Sequence, residues 1–177
     1  RALRPGHALR LAELTGWPRR AEGNGYGALT DTDDYRSEVD GSHVPPGPWA
    51  NVIANRSAGF CVTERGGGFA WAENSYFYRL TPWFNDPVSD PAGEALYLQD
   101  AETGHVWSPT PGPWLAKDDG DGPAPYHVVH APGVSTFEHG RAGIRSTLSL
   151  AVAREDPVKI TRLRLQNEGA VPRTIVL

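Results

Sequence analysis

Methionine is absent from this 177-residue chain, and cysteine occurs once, at Cys61. A single thiol excludes an internal disulfide and fits a reducing compartment, so the sequon Asn55-Arg56-Ser57 is read as without consequence. Long apolar runs are missing too: nothing approaches the roughly 20 residues of a membrane-spanning helix. Residues 8–14 are too short for a signal core and are interrupted by Arg10 and Glu13. The net charge is -4 and no basic stripe accompanies it, which argues against a nucleic-acid partner. A nucleophile elbow of the Gly-x-Ser-x-Gly type is lacking, and Cys61 has no nearby histidine in sequence.

What the chain has in abundance is punctuation. Twenty glycines and sixteen prolines make up about a fifth of it, against roughly an eighth in an average protein. Breakers at that density shorten every element and favour many short strands joined by turns. Six Trp, six Tyr and five Phe supply large contact areas where aliphatic residues are few.

Residues 1–23 form a basic segment, read as a short helix or linker; Leu9, Leu11, Ala12 and Leu14 give it a two-turn amphipathic pattern. Residues 21–48 are turn-rich. From Trp49 on, strands are predicted over residues 49–55, 60–64 and 69–73, the last two joined by Gly66-Gly67-Gly68. Residues 94–100 and 105–108 predict a hairpin whose connection ends in Gly104, suited to a left-handed position. Strands follow over residues 126–130, 135–139 and 144–153. In the last, Ile144, Leu148, Leu150 and Val152 share one face and Arg145, Thr147 and Ser149 take the other. After Asp156-Pro157, Val158 and Ile160 fall on one parity and Leu163 and Leu165 on the other, predicting a bulge near Thr161. About ten antiparallel strands without an intervening helical pattern predict an all-β sandwich over residues 24–177. The β-branched run 174–177 and the missing methionine predict a truncated piece of a larger domain.

The most unusual segment is residues 74–93, too long and Pro-rich for a hairpin turn and carrying Tyr76, Phe77, Tyr78, Trp83 and Phe84. Exposing such rings is costly, which predicts a loop folded back on the sandwich. Ring faces beside Arg, Asn and Asp suit a pyranose: the ring stacks on axial hydrogens while planar polar groups take hydroxyls. The same rings would also serve merely to seal one end of the sandwich. His127 and His130 fall on opposite strand faces and cannot share a metal. Residues 118–122 read as a solvated acidic turn, since Pro123 replaces a calcium ligand and no closing Glu follows. Asp86, Asp90 and Glu94 are candidate carboxylates, yet Asp86-Pro87 and Asp90-Pro91 are equally good turn formers.

A series of segments then becomes specific in its order: Asn24-Gly25-Tyr26-Gly27, Pro48-Trp49-Ala50-Asn51, Gly67-Gly68-Phe69-Ala70-Trp71-Ala72-Glu73-Asn74, Arg79-Leu80-Thr81-Pro82-Trp83, Asn85-Asp86-Pro87-Val88-Ser89-Asp90-Pro91, Val106-Trp107-Ser108-Pro109 and Phe137-Glu138-His139. Together they resemble the β-sandwich domain of glycoside hydrolase family 94, in particular the carboxyl-terminal module of cyclic β-1,2-glucan synthases and related oligoglucan phosphorylases. The resemblance implies a galactose-mutarotase-like antiparallel β-supersandwich, followed in the parent by an (α/α)6 barrel that holds the general acid and a phosphate pocket. It carries no catalytic residue and no cofactor or metal onto this chain; inorganic phosphate would be a co-substrate of a phosphorylase parent. Two departures stand out: Gly27-Ala28-Leu29 replaces the usual Gly-Gly-Phe, and Tyr76-Phe77-Tyr78 replaces a polar stretch. The reading that follows is a non-catalytic part of a glucan-active enzyme, with Arg79, Trp83, Asn85 and Asp86 as sugar-binding residues. Its expected partners are a β-glucan oligosaccharide and the barrel of the same parent, with a homodimer as an alternative and no nucleic acid or membrane contact. The expected location is cytoplasmic, with a synthase parent anchored to the inner membrane. The alternatives are a stand-alone carbohydrate-binding module and a purely structural or dimerisation domain.

Overall fold

The computed structural model describes residues 23–113, 115 and 124–177, and among these it contains twelve strands and no helix. They are β1 (Gly27–Leu29), β2 (Tyr35–Val39), β3 (Ala50–Ala54), β4 (Ala58–Thr63), β5 (Gly68–Ala72), β6 (Leu98–Asp100), β7 (Val106–Trp107), β8 (Tyr126–Ala131), β9 (Val134–Arg141), β10 (Ile144–Val152), β11 (Lys159–Asn167) and β12 (Ile175–Val176). The amphipathic segment over residues 8–14 and the acidic turn at 118–122 lie outside the described residues.

A six-stranded antiparallel sheet, ordered β1-β2-β8-β9-β10-β11, forms one layer. Two three-stranded sheets, β3-β4-β5 and β12-β6-β7, pack on its inner face. Alternation decides what is inside. On β10, Ile144, Ser146, Leu148 and Leu150 are buried, while Arg145, Thr147 and Ser149 face outward. Leu148 and Leu150 meet Phe60, Val62, Phe137 and Tyr126 in the main core. Ile144, four residues before Leu148 on the same face, joins Leu98 and Trp107 in a second, smaller core. Burying an aromatic or aliphatic side chain of this size contributes about 1.5–3 kcal/mol, so these cores dominate the attraction between layers. Polar ties complete it: the Asn51 side-chain amide donates to the Ala131 carbonyl at 2.9 Å and the Ser135 hydroxyl at 3.1 Å.

The predicted hairpin exists in shortened form. Leu98 pairs with Trp107, Gly104 takes φ 73°, and Asp100 accepts the Glu102 and Thr103 amides at 2.9 and 3.1 Å. The turn-rich stretch 21–48 also holds two strands, β1 and β2, and β2 joins the main sheet beside β8. One expectation fails. The bulge near Thr161 is absent: β11 pairs with β10 without interruption, from Lys159 opposite Val152 to Asn167 opposite Ile144. The bulge argument assumed that every apolar residue must point inward. On a sheet edge that demand lapses, and Ile160 stays 41% exposed on the outer side.

Candidate functional site

β5 is built with its residues inverted relative to an ordinary sandwich strand. Gly68, Ala70 and Ala72 share the inward parity, and Ala70 is part of the main core. Phe69 and Trp71 therefore point outward. Trp71 lies across Gly59 of β4, its cross-strand partner. A Cβ at Gly59 would sit 2.4 Å from Trp71 Cζ2, so only glycine lets the indole settle on the sheet. Phe69 stands opposite Cys61, whose thiol pKa is pushed up by burial and then by Asp90.

The segment after β5 folds back along its free edge. The Ala72 amide donates to the Tyr78 carbonyl at 3.0 Å, Leu80 N–H donates to Ala70 at 2.8 Å, and Thr81 Oγ1 accepts the Ala70 amide at 2.8 Å. Arg79 is thereby placed beside Trp71. Its guanidinium lies 5.5 Å from the Phe69 ring centroid and 5.6 Å from that of Tyr76, within the range of a cation–π contact. Trp83 meets Phe69 at 4.9 Å and Phe69 meets Trp71 at 5.4 Å, both tilted by 44°. The result is a row of three rings on the outer face of the β3-β4-β5 sheet, with a guanidinium at its side.

Of the four sequence-predicted residues, Arg79 and Trp83 belong to this row; Asn85 and Asp86 serve the turn beyond it. Asn85 adopts φ 51°. Asp86 accepts the amides of Val88 and Ser89 at 2.9 and 3.3 Å and the Ser89 hydroxyl at 2.5 Å, and these bonds hold its carboxyl below the ordinary range. Sequence reasoning missed Phe69 and Trp71, although their i, i+2 spacing beside a Gly-rich turn marks one strand face. It also missed what Asp90 does. Its carboxylate is buried and accepts Thr63 Oγ1 at 2.5 Å, pinning the far end of the loop to β4. Burial pushes the Asp90 pKa up, against the Thr63 bond and Arg65. No local pattern links positions 27 apart, so this anchor could not be read from the sequence.

The loop backbone folds back as expected, but its aromatics are not buried. Tyr76 is 72% exposed, Phe77 75% and Phe84 59%, and Trp83 is half-buried. The order comes from backbone partners instead. Asn74 Oδ1 accepts the Tyr76 and Phe77 amides at 2.9 Å each, and the edge of β5 takes the next turn. His127 and His130 do point to opposite faces: His127 lies 3.8 Å from Glu38, and His130 bonds Ser135 Oγ at 2.8 Å inside. Asp86 and Asp90 are thus committed to turn and anchor.

A family model described as glycosyl hydrolase 94, supersandwich domain, matches residues 33–177. The chain is 33% identical over 153 residues to the cyclic beta-(1,2)-glucan synthase NdvB of Rhizobium meliloti (strain 1021), a stretch covering 86% of this chain and 5% of that protein. It is 29% identical over 143 residues to an N,N'-diacetylchitobiose phosphorylase of Vibrio furnissii, covering 81% and 18%. With a 3-O-beta-D-glucopyranosyl-beta-D-glucuronide phosphorylase of Paenibacillus borealis it shares 26% over 132 residues, covering 75% and 15%. The chain thus spans 5% to 18% of the length of these relatives.

Proposed function

The chain belongs to the glycosyl hydrolase 94 supersandwich family, and from that premise we propose that it is the sugar-facing, non-catalytic part of a glucan-active enzyme. The substrate class is β-linked glucan, with the β-1,2 series first, since one relative is by name a cyclic β-(1,2)-glucan synthase. The sandwich would buttress a catalytic barrel in the same protein and shape the acceptor end of its groove. If the parent is a phosphorylase, inorganic phosphate is its co-substrate.

The observation that carries this reading is the row Trp71–Phe69–Trp83 with Arg79 beside it. Phe69 and Trp71 are set on a strand and lose little freedom when a pyranose stacks on them, and the guanidinium offers paired donors to neighbouring hydroxyls. The test is Trp83→Ala in the full-length parent. Acceptor affinity should fall by about tenfold, a loss of about 1.4 kcal/mol, while the unfolding midpoint stays put. Unchanged affinity would refute the assignment of Trp83. Titration of the 177-residue chain alone with short β-1,2-glucans, and cellobiose as control, separates a self-sufficient binding module from a groove completed by the barrel.

A second reading has its own observation. Tyr76, Phe77, Tyr78, Leu80, Phe84 and Val88 are each more than half exposed and close in sequence, an apolar display suited to a protein interface. Under that reading Phe77→Ser weakens assembly of the parent, measured by sedimentation, and leaves sugar affinity untouched.

A further inference from the structure

Arg79 is exposed, yet it is held more firmly than an exposed arginine usually is. Its backbone bridges to Trp71, and on either side the Tyr78 carbonyl and the Leu80 amide bond the edge of β5. Its Nε donates to the Ser75 carbonyl at 3.2 Å. Phe69 and Tyr76 flank its guanidinium, with ring centroids 5.5 and 5.6 Å away. One bond at Nε and two rings steady the plane of the group, and the η nitrogens are its outward end.

The charge of this guanidinium is left unbalanced by the chain. Among the described residues Arg79 is in no ion pair, whereas Arg145 is matched to Glu168 and Arg173 to Asp100. Carboxylates are not lacking in the same segment. Asp86 spends its oxygens on the Val88 and Ser89 amides and the Ser89 hydroxyl, Asp90 is bonded to Thr63, and Glu94 is paired with Lys159. Each is drawn to another partner, and the cation beside the ring row keeps its fork for something else. A neutral sugar does not require a charge there, since a side-chain amide bonds hydroxyls as well. A fixed, planar, charged fork gains over an amide when the ligand offers a planar anion.

We propose that this face recognises a pyranose bearing a carboxylate, a uronic acid unit, with Arg79 taking the carboxylate through both η nitrogens. Trp83 and Phe69 take the face of the same sugar, whose rim then lies at the guanidinium. The proposal rests on the sugar reading above and narrows its ligand to an acidic saccharide. A guanidinium that merely covers ring edges would act alike on charged and neutral sugars, so the two roles part on sensitivity to the charge of the ligand.

The test uses the full-length parent and three disaccharides, titrated by calorimetry at low salt. They are β-1,2-linked diglucose, the same sugar with glucuronic acid as one unit, and the methyl ester of that acid. The acid should bind about tenfold tighter than its ester, and high salt should narrow the gap by screening. Arg79→Gln should remove the gap, and Arg79→Lys, which keeps the charge without the fork, should retain only part of it. The comparison of acid with ester needs no variant and so does not depend on how a variant folds. Equal binding of acid and ester overturns the proposal and leaves the sugar reading standing. A gap that survives Arg79→Gln overturns it as well, because other groups of the parent then read the charge. Binding of none of the three overturns both readings.

Discussion

Glu64 closes β4 with 1% of its surface exposed, and its Oε2 accepts the Trp49 amide at 2.6 Å. Loss of water pushes its pKa up to about 7; Asp90 adds to the rise, while the Trp49 amide and Arg65 oppose it. The folded value lies above the unfolded one near 4.5, so between these two the folded state binds the proton more tightly. The stability that this group contributes is complete below about pH 4.5, declines as pH rises, and is lost above about 7. A gap of about 2.5 in pKa corresponds to about 3 kcal/mol. Glu64→Gln keeps an acceptor for Trp49 and removes the ionisation. Near pH 4 the variant should match the parent within about 0.5 kcal/mol, and near pH 8 it should be more stable by up to about 3 kcal/mol, as read by urea unfolding. His130 and His139, both pulled to about 4 mainly by burial, work in the opposite sense, losing stability as pH falls from 6.5. They are present in both proteins and cancel in the difference. Parallel pH profiles for variant and parent would refute the argument.

Two glycine substitutions test the loop and the ring row separately. Gly67→Ala places a Cβ 2.4 Å from Asp90 Oδ1. The carboxylate must leave Thr63, which should cost about 1–3 kcal/mol and speed amide exchange over residues 82–93, with no change near β8 and β9. Gly59→Ala lifts Trp71 off the sheet and should cost a similar 1–3 kcal/mol; tryptophan emission should shift to the red as the indole gains water, and a parent carrying the change should lose β-glucan affinity.

Much of the fold was legible because it is written locally. The alternation of β10, the Gly104 turn of the β6–β7 hairpin and the Gly66-Gly67-Gly68 turn each follow from a few adjacent residues. What escaped is what distant residues impose. β2, Tyr-Arg-Ser-Glu-Val, has an ordinary strand composition masked by flanking Asp and Gly, and it becomes a strand because β8 pairs with it, Tyr35 opposite His130. The same limit applies to the site. Arg79 and Trp83 were found from the composition of residues 74–93. Their coupling to Phe69 depends on the loop running back along β5, and the Asp90–Thr63 anchor that holds the loop has no local sign. The loop folds back as its composition predicts, but the exposure of its rings was not legible, because backbone bonds order the segment without burying them.

The inversion of β5 is the strongest physical argument that the ring row exists for a ligand or a neighbour. A strand chosen for stability alone would turn Phe69 and Trp71 inward and leave Gly68, Ala70 and Ala72 outside, gaining about 25 cal/mol for each further Å² of apolar surface removed from water. The inner space is instead filled by Phe60, Tyr126 and Phe137, and the small residues of β5 let the layers approach. Gly59 then gives up its side chain so that Trp71 can lie flat, and Asp90 accepts burial of a carboxyl so that the loop bearing Arg79 and Trp83 is fixed beside it. The outward turn of Phe69 and Trp71 forgoes core burial that the opposite parity would give the isolated sandwich. These features support the proposed use of the outer face of the β3-β4-β5 sheet, where rings held by a sheet edge with a guanidinium beside them suit a flat, hydroxylated ligand.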